Sequence, residues 1–293
     1  MSVPAPAPIT PGAVLRDAPR GSAVGLALRE ASLGDRIALA AFGVISLLAA
    51  IGPSIAPDDP GTPVAPAFQA PSWSHPMGTD DVGRDMFSRV LAGIPSTWLS
   101  ALAVIALATL IGAVIGTLAA TAGGWIEAVL MRITDAFLAF PAPLVAIAVI
   151  AALGPSLLHT LIAVSILWWP YYARIVRAEV RALLVRPNVD AARMSGISRR
   201  RLILRHVVPG AVPITVVAAS LDIGGLITVL AALSFLGLGA PAPSPELGAM
   251  TARGASSLLT AWWVPVMPGL AVFALALVGN WAGDAVHDML DRR

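Results

Sequence analysis

Residues 90–126 read VLAGIPSTWLSALAVIALATLIGAVIGTLAATAGGWI, a stretch without a single charged side chain. Residues 37–55, IALAAFGVISLLAAIGPSI, are uncharged as well. A helix needs about 20 apolar residues to cross the hydrocarbon core of a bilayer. The two stretches therefore predict membrane-spanning helices, and a chain with several such stretches is a polytopic membrane protein.

The overall composition agrees with a membrane environment. Hydrophobic residues make up 57% of the chain and charged residues only 12%, against roughly 25% charged residues in ordinary soluble domains. All 19 basic residues are arginine, and most lie beside apolar segments, which is typical of membrane topology and argues against nucleic-acid binding. Because the sequence contains no cysteine, disulfides, thiolate nucleophiles and cysteine-ligated zinc are excluded.

The apolar pattern predicts an all-α membrane helix bundle with six transmembrane helices. Gly123-Gly124 and Gly154-Pro155 are typical helix breakers and separate neighbouring spans. Ser198 is predicted to cap a further helix that Pro209 ends, just before the fifth span. The six predicted spans cover residues 37–55, 96–121, 128–152, 157–173, 214–237 and 263–283.

Three regions follow from this map. Residues 1–34 are predicted to form a disordered tail, because closely spaced prolines at their start prevent a helix. Residues 35–93 would hold the first span and an external segment that begins with many prolines. Residues 94–293 would form the core domain, with a cytoplasmic loop at about 174–212 that is too long for a passive turn.

The distribution of arginines predicts the orientation. If the N-terminus lies inside, sixteen arginines are cytoplasmic and only Arg84, Arg89 and Arg253 lie outside. This bias satisfies the positive-inside rule. The chain is therefore expected to be a multi-pass membrane protein with both termini in the cytoplasm.

The long cytoplasmic loop contains the pattern of a short isolated helix. Pro187 stops the preceding helix, Asn188 is predicted as the N-cap, and Gly196 can close the short helix in a left-handed conformation. Asp190 would lie in the first turn, where the helix dipole favours a carboxylate. A helix of about two turns is not stable alone, so it needs a docking surface. Its slim face would be formed by Ala191 and Ala192.

These residues resemble a known family. The run Asp190-Ala191-Ala192, followed by Gly196 and Val208-Pro209, looks like the EAA loop of binding-protein-dependent ABC importer permeases. Further matches are similar to the dipeptide, oligopeptide and nickel permease group within that family. They are Gly78-Thr79-Asp80 with Gly83-Arg84-Asp85, the run Leu233 to Gly239, and Gly283-Asp284.

The resemblance implies a type I ABC importer permease fold, a location in the plasma (inner) membrane, and a coupling helix that docks into a cytoplasmic ATPase. It also implies two ATP-binding-cassette ATPase subunits, a second and non-identical permease subunit, and an external binding protein that delivers a peptide. Asp190 stands where the family usually has Glu, which shortens the reach of the carboxylate by one methylene. The implied coupling residues are Asn188, Asp190, Ala191, Ala192, Arg193 and Gly196.

No catalytic machinery is expected in the chain itself. Because it contains no lysine, a phosphate-binding loop of the Walker type is impossible, and partner subunits must bind and hydrolyse ATP. No cofactor is predicted. His75, His159, His206 and His287 lie on separate segments without ligand spacing, so no metal site is predicted either.

Two intramembrane acids leave alternatives open. Asp222 falls inside the fifth span, where a carboxylate is costly, and it is equally consistent with interhelical hydrogen bonding and with lining a pathway. Asp135 is expected to pair with Arg132, three residues away. An ion-coupled secondary transporter that uses both acids is the main alternative function. A membrane-embedded enzyme is a second alternative, although no cluster of reactive side chains supports it.

Two further groups have structural interpretations. Gly112 and Gly116 form a small-xxx-small pair, which favours close helix packing. Three outer acids are expected to cap a helix and to pair with Arg84 or Arg89, instead of binding a cation. They are Asp80, Asp81 and Asp85.

Overall fold

The computed structural model of the protein describes residues 31–291. The predicted disordered tail lies almost entirely outside this part of the chain. Within it the secondary structure is helical, apart from an isolated bridge between Thr79 and Asp85, so the all-α prediction is confirmed. The helices are α1 Leu33–Ile55, α2 Met86–Ala122, α3 Gly124–Leu138, α4 Ala142–Leu153, α5 Leu157–Leu184, α6 Pro187–Met194, α7 Arg199–Leu202, α8 Val208–Leu221, α9 Ile223–Phe235, α10 Leu247–Gly254 and α11 Trp263–Asp291.

Polar side chains determine where several helices begin. Ser32 and Asp35 form a reciprocal capping box at the start of α1. The Asp85 carboxylate caps α2 by accepting a hydrogen bond from the Ser88 backbone N–H at 2.7 Å, as predicted. Glu246 caps α10 in the same way. Each of these bonds satisfies a backbone donor that a helix start otherwise leaves unpaired.

Several helices are long and apolar enough to cross a membrane. Within residues 31–291 they are Leu33–Ile55, Met86–Ala122, Arg199–Leu221 and Trp263–Asp291, and α3 with α4 makes a fifth if this bent pair is one span. α5 begins at the first residue of the fourth predicted span and continues beyond its end to Leu184, and it packs along α2. The polytopic bundle inferred from the charge-free stretches is therefore confirmed.

The third predicted span is not one straight helix. The axes of α3 and α4 differ by 83° across a break of a few residues that contains Phe140 and Pro141. Pro141 has no backbone N–H, and its ring disfavours a helical conformation at the preceding residue. The apolar run predicted the membrane environment correctly but could not show the bend.

The fifth predicted span also differs from a single helix. Pro209 does not end the preceding helix, because a π-helical turn over Ile203–Val207 joins α7 to α8. The wider turn ends at Val207, two residues before Pro209, and accommodates the missing N–H within a continuous span. The chain is instead interrupted further on, at Asp222, between α8 and α9.

The most extensive helix–helix contact in the described bundle brings α2 against α5. A Cβ atom at Gly112 would lie 2.5 Å from the Tyr172 Cβ, and one at Gly116 would lie 2.5 Å from the Ala173 carbonyl oxygen. Apart from Gly, no residue would fit without a shift of one helix. The packing role predicted for the two glycines is therefore confirmed.

Replacing Gly116 by valine should destabilise the bundle. The new side chain would collide with backbone atoms of Ala173 and Arg177, and overpacking of this kind costs about 1–3 kcal/mol. We expect a lower midpoint of thermal unfolding in detergent, measured by the loss of the monodisperse elution peak after heating. Gly43→Val on α1 is the matched control, since nothing lies within 4 Å of a Cβ there. Equal midpoints for the two variants would contradict the close α2–α5 contact.

Candidate coupling helix and membrane-embedded carboxylate

The short helix predicted in the long loop is α6, and its start differs from the prediction by two residues. Arg186, not Asn188, is the N-cap, with an extended backbone at φ −74° and ψ 143°, and Pro187 occupies the first turn. Proline suits this place because its N–H would be unsatisfied there and its φ is already helical. Gly196 has φ +76°, so the predicted left-handed conformation after the helix is confirmed.

One apolar side chain attaches α6 to the bundle. Val189 is only 1% exposed and packs into a cluster with Val180 and Leu183 of α5 and with Leu202 and Val207 of the next span. Sequence reasoning missed this residue. The signal was present, because Val189 is the one strongly apolar residue in the middle of an otherwise polar helix.

The outer face of α6 carries an ion pair, an exposed alanine and an exposed methionine. Asp190 and Arg193 form an ion pair at 2.9 Å, and both side chains are about half exposed. Ala191 is exposed, whereas Ala192 packs partly against the Val189 cluster, so the two alanines do not share one face. Met194 is 84% exposed. Asn188 is exposed as well.

Ion pairs tie α5 to α3 at the same end of the bundle, which we call the arginine-rich end because it holds the arginines from Arg174 to Arg205. Glu127 on α3 accepts hydrogen bonds from Arg177 at 2.6 Å and from Arg181 at 3.0 Å. Asp135 pairs with Arg174 at 2.5 Å, so the predicted pair with Arg132 is wrong. The sequence shows spacing within a helix, but the neighbour here comes from a second helix.

Asp222 lies at the junction of α8 and α9, where it joins these helices to α5. Its Oδ2 accepts hydrogen bonds from the Trp168 indole N–H at 2.5 Å and from the Tyr172 hydroxyl at 2.9 Å. The carboxylate also lines a cavity of about 230 Å³. Interhelical hydrogen bonding, one of the two roles left open by the sequence, is thus present.

The opposite end of the bundle carries the acids and arginines predicted to pair. Asp80 lies 2.6 Å from Arg84 and 3.6 Å from Arg89, and Asp81 lies 3.6 Å from Arg84. Arg253 lines the same cavity of about 140 Å³, and burial, with the neighbouring Arg84, lowers the pKa of its guanidinium. The predicted pairing of these groups is confirmed.

One histidine, contrary to the scattered pattern in the sequence, lies near two acids. Ligand atoms of Asp58, His75 and Asp85 lie within 4.8 Å of one another. His75 Nδ1 is 3.0 Å from the Asp85 carboxylate, and that carboxylate also accepts hydrogen bonds from the Ser88 backbone and hydroxyl. Helix capping and one His–Asp contact therefore account for the group.

The arrangement of these elements is that of an importer permease. A solved inward-facing structure of the MetNI methionine ABC transporter matches with a TM-score of 0.57 and covers 69% of this chain and 96% of that chain, at 18% sequence identity. A second MetNI crystal form matches with a TM-score of 0.56 at 20% identity. The likeness shows a type I ABC importer permease fold, as the resemblance implied.

The chain belongs to the family described as binding-protein-dependent transport system inner membrane component, which matches residues 108–293. It is 40% identical to a probable D,D-dipeptide transport system permease protein of Escherichia coli K12, over 84% of this chain and 83% of the relative. A dipeptide transport system permease protein of Alkalihalophilus pseudofirmus is 38% identical, over 76% and 74%. A glutathione transport system permease protein of Escherichia coli O6 is 42% identical, over 75% and 73%.

Family membership settles the class of function. The chain is the membrane-spanning permease component of an ABC import system, and ATP hydrolysis is not its own activity. An ion-coupled secondary transporter and a membrane-embedded enzyme, the two alternatives that the sequence left open, are incompatible with this family.

The attachment of α6 by Val189 can be tested by cysteine labelling, because the chain has no cysteine of its own. In the isolated permease, Val189→Cys should react with a maleimide roughly tenfold or more slowly than Ala191→Cys, since a buried thiol reacts only after local opening. Both variants should label equally fast after denaturation. Equal rates in the folded protein would show that α6 is not held on the bundle.

Proposed function

We propose that this permease imports short peptides. Three relatives that are 38–42% identical carry the names of D,D-dipeptide, dipeptide and glutathione transport permeases, and a short peptide is the solute class these names share. The chain forms one half of the translocation pathway and a second, non-identical permease subunit forms the other. An external substrate-binding protein delivers the peptide.

The exposed face of α6 carries the proposed link to the energy source. Asp190, Ala191, Arg193 and Met194 point away from the bundle, while Val189 holds the helix on it. A short helix with a firmly packed inner side and an exposed outer side suits docking into a groove of an ATPase subunit. Two such ATPases bind the ATP, one under each permease. Asn188 and Gly196 complete the docking segment.

Movement of α6 would displace both α5 and the following span. The Val189 cluster contains Val176 and Val180 of α5 and also Val207 and Ala211 of the following span. Because packed apolar clusters are nearly incompressible, displacement of α6 is passed on to both spans as a rigid-body shift. Alternation between inward-open and outward-open states then follows the ATPase cycle.

The proposed orientation places the arginine-rich end in the cytoplasm. Arg89 lies in the first turn of α2, and Arg199 donates a hydrogen bond to the Thr121 carbonyl at the end of the same helix. A helix of 37 residues is about 55 Å long, more than the thickness of the hydrocarbon core. Arg84, Arg89 and Arg253 are thus separated from the arginine-rich end by more than the thickness of the hydrocarbon core. This separation supports cytoplasmic termini.

Peptide import is tested by purifying the tagged permease from native membranes with its bound subunits and reconstituting the complex in vesicles. Uptake of a labelled dipeptide should require the binding protein and ATP hydrolysis, and it should persist when the proton gradient is collapsed. Identification of the co-purified chains checks the two ATPases and the second permease. Absence of ATP-dependent dipeptide uptake in a complex that hydrolyses ATP would contradict the proposed solute class.

Charge reversal on α6 should uncouple the complex. Asp190→Arg breaks the ion pair with Arg193 and places two positive charges on the docking face, so we expect the ATPase to be lost during co-purification and uptake to fall about tenfold or more. Asp288→Arg, at the exposed end of α11, is the matched control and should keep both. Full uptake by the Asp190→Arg complex would refute docking through α6.

A further inference from the structure

Only one of the two carboxylate oxygens of Asp222 accepts hydrogen bonds from side chains in the described part of the chain. Both donors, the Trp168 indole and the Tyr172 hydroxyl, bind the same oxygen, Oδ2. The other oxygen, Oδ1, has no donor among residues 31–291, and no arginine or histidine in that range forms an ion pair with the carboxylate. Asp135, by contrast, has Arg174 as a partner. Within the described residues, the Asp222 carboxylate therefore has no protein cation as its counter-ion.

The cavity beside Asp222 has a distinct chemical character. It lies between the junction of α8 and α9, the aromatic part of α5 and the bend between α3 and α4. Its volume of about 230 Å³ is below the ~300 Å³ at which sites for whole small molecules begin, so it suits one end of a solute. The lining side chains are one carboxylate, two aromatic and three apolar residues, namely Asp222, Trp168, Tyr171, Leu138, Ala142 and Leu167.

This set of side chains favours an organic cation. A carboxylate supplies the counter-charge, and neighbouring aromatic side chains attract an ammonium through their π-electrons. A divalent metal ion would need several oxygen ligands, and Asp222 is the one carboxylate in the lining. An anion is disfavoured by the same charge.

We infer that this cavity binds the α-ammonium group of the transported solute during its passage, with Asp222 as the counter-ion. This inference rests on the proposed peptide import, because a free amino terminus is the cation that short peptides share. The Trp168 and Tyr172 hydrogen bonds fix the carboxylate so that Oδ1 remains available to the ligand.

A protection experiment on the permease–ATPase complex tests the site without the binding protein, which has its own specificity. Leu138→Cys places a single thiol in the lining of the cavity, and its reaction with a maleimide is followed in phosphatidylglycerol vesicles, whose headgroup carries no ammonium group. Dialanine at millimolar concentration should slow labelling about tenfold, whereas N-acetyl-dialanine should not. Methylammonium should protect weakly.

Matched variants separate the charge from the hydrogen bonds. Asp222→Asn keeps an oxygen that can accept from Trp168 and Tyr172 but removes the charge, so protection by dialanine should disappear. Asp222→Glu should retain part of it. Asp135→Asn removes a different membrane-boundary charge and should leave protection unchanged. Assembly with the ATPase, measured by co-purification, shows that each variant is folded.

The outcomes are distinct from those of the uptake experiment. Equal protection by dialanine and N-acetyl-dialanine, or protection that survives Asp222→Asn, overturns the ammonium site. If ATP-dependent dipeptide uptake is observed but protection is absent, peptide import stands and the site does not. If protection by methylammonium is lost in Asp222→Asn while dipeptides are not taken up, the cation site stands and the solute class is wrong.

Discussion

The close backbone contact between α2 and α5 is the constraint on which the rest of the bundle depends. Inside a bilayer, helices gain little from burying apolar surface against one another, so tight packing of small residues becomes decisive. Gly112 and Gly116 let the two helices approach until a single added methyl group would collide with backbone or Cβ atoms. This contact fixes the position of α5 and therefore also the positions of the site residues on α5.

α5 links two regions that differ in chemistry. Near its middle, Trp168 and Tyr172 hold the Asp222 carboxylate, and towards its end Val180 and Leu183 pack on Val189 of α6. The helix has 28 residues, about 42 Å at the usual rise. Its ion pairs with Glu127 and Asp135 brace the same stretch, so the packing from α6 to the Asp222 cavity is continuous.

The sequence predicted the features that depend on residue type, but it did not predict those that depend on contacts between helices. Charge-free runs predict spans because the bilayer excludes charge, and Gly196 was predictable because few other residues adopt a positive φ. The bend at Pro141 and the continuous helix through Pro209 were not, since a proline within an apolar run permits either outcome and neighbouring helices decide. The partner of Asp135 and the anchoring by Val189 depend on contacts between helices, which spacing along one helix does not encode.

Asp222 shows why the role of a membrane acid cannot be derived from its depth alone. Asp222 occupies the N-cap position of α9, where an aspartate normally accepts from its own backbone, yet no such side-chain bond is formed. The carboxylate turns instead to Trp168 and Tyr172 on α5. The start of α9 is thus held by another helix and not by its own cap. A shift of α5 relative to α8 would have to break these hydrogen bonds or carry Asp222 along. The position of the carboxylate is therefore set by α5, although Asp222 is part of the fifth span.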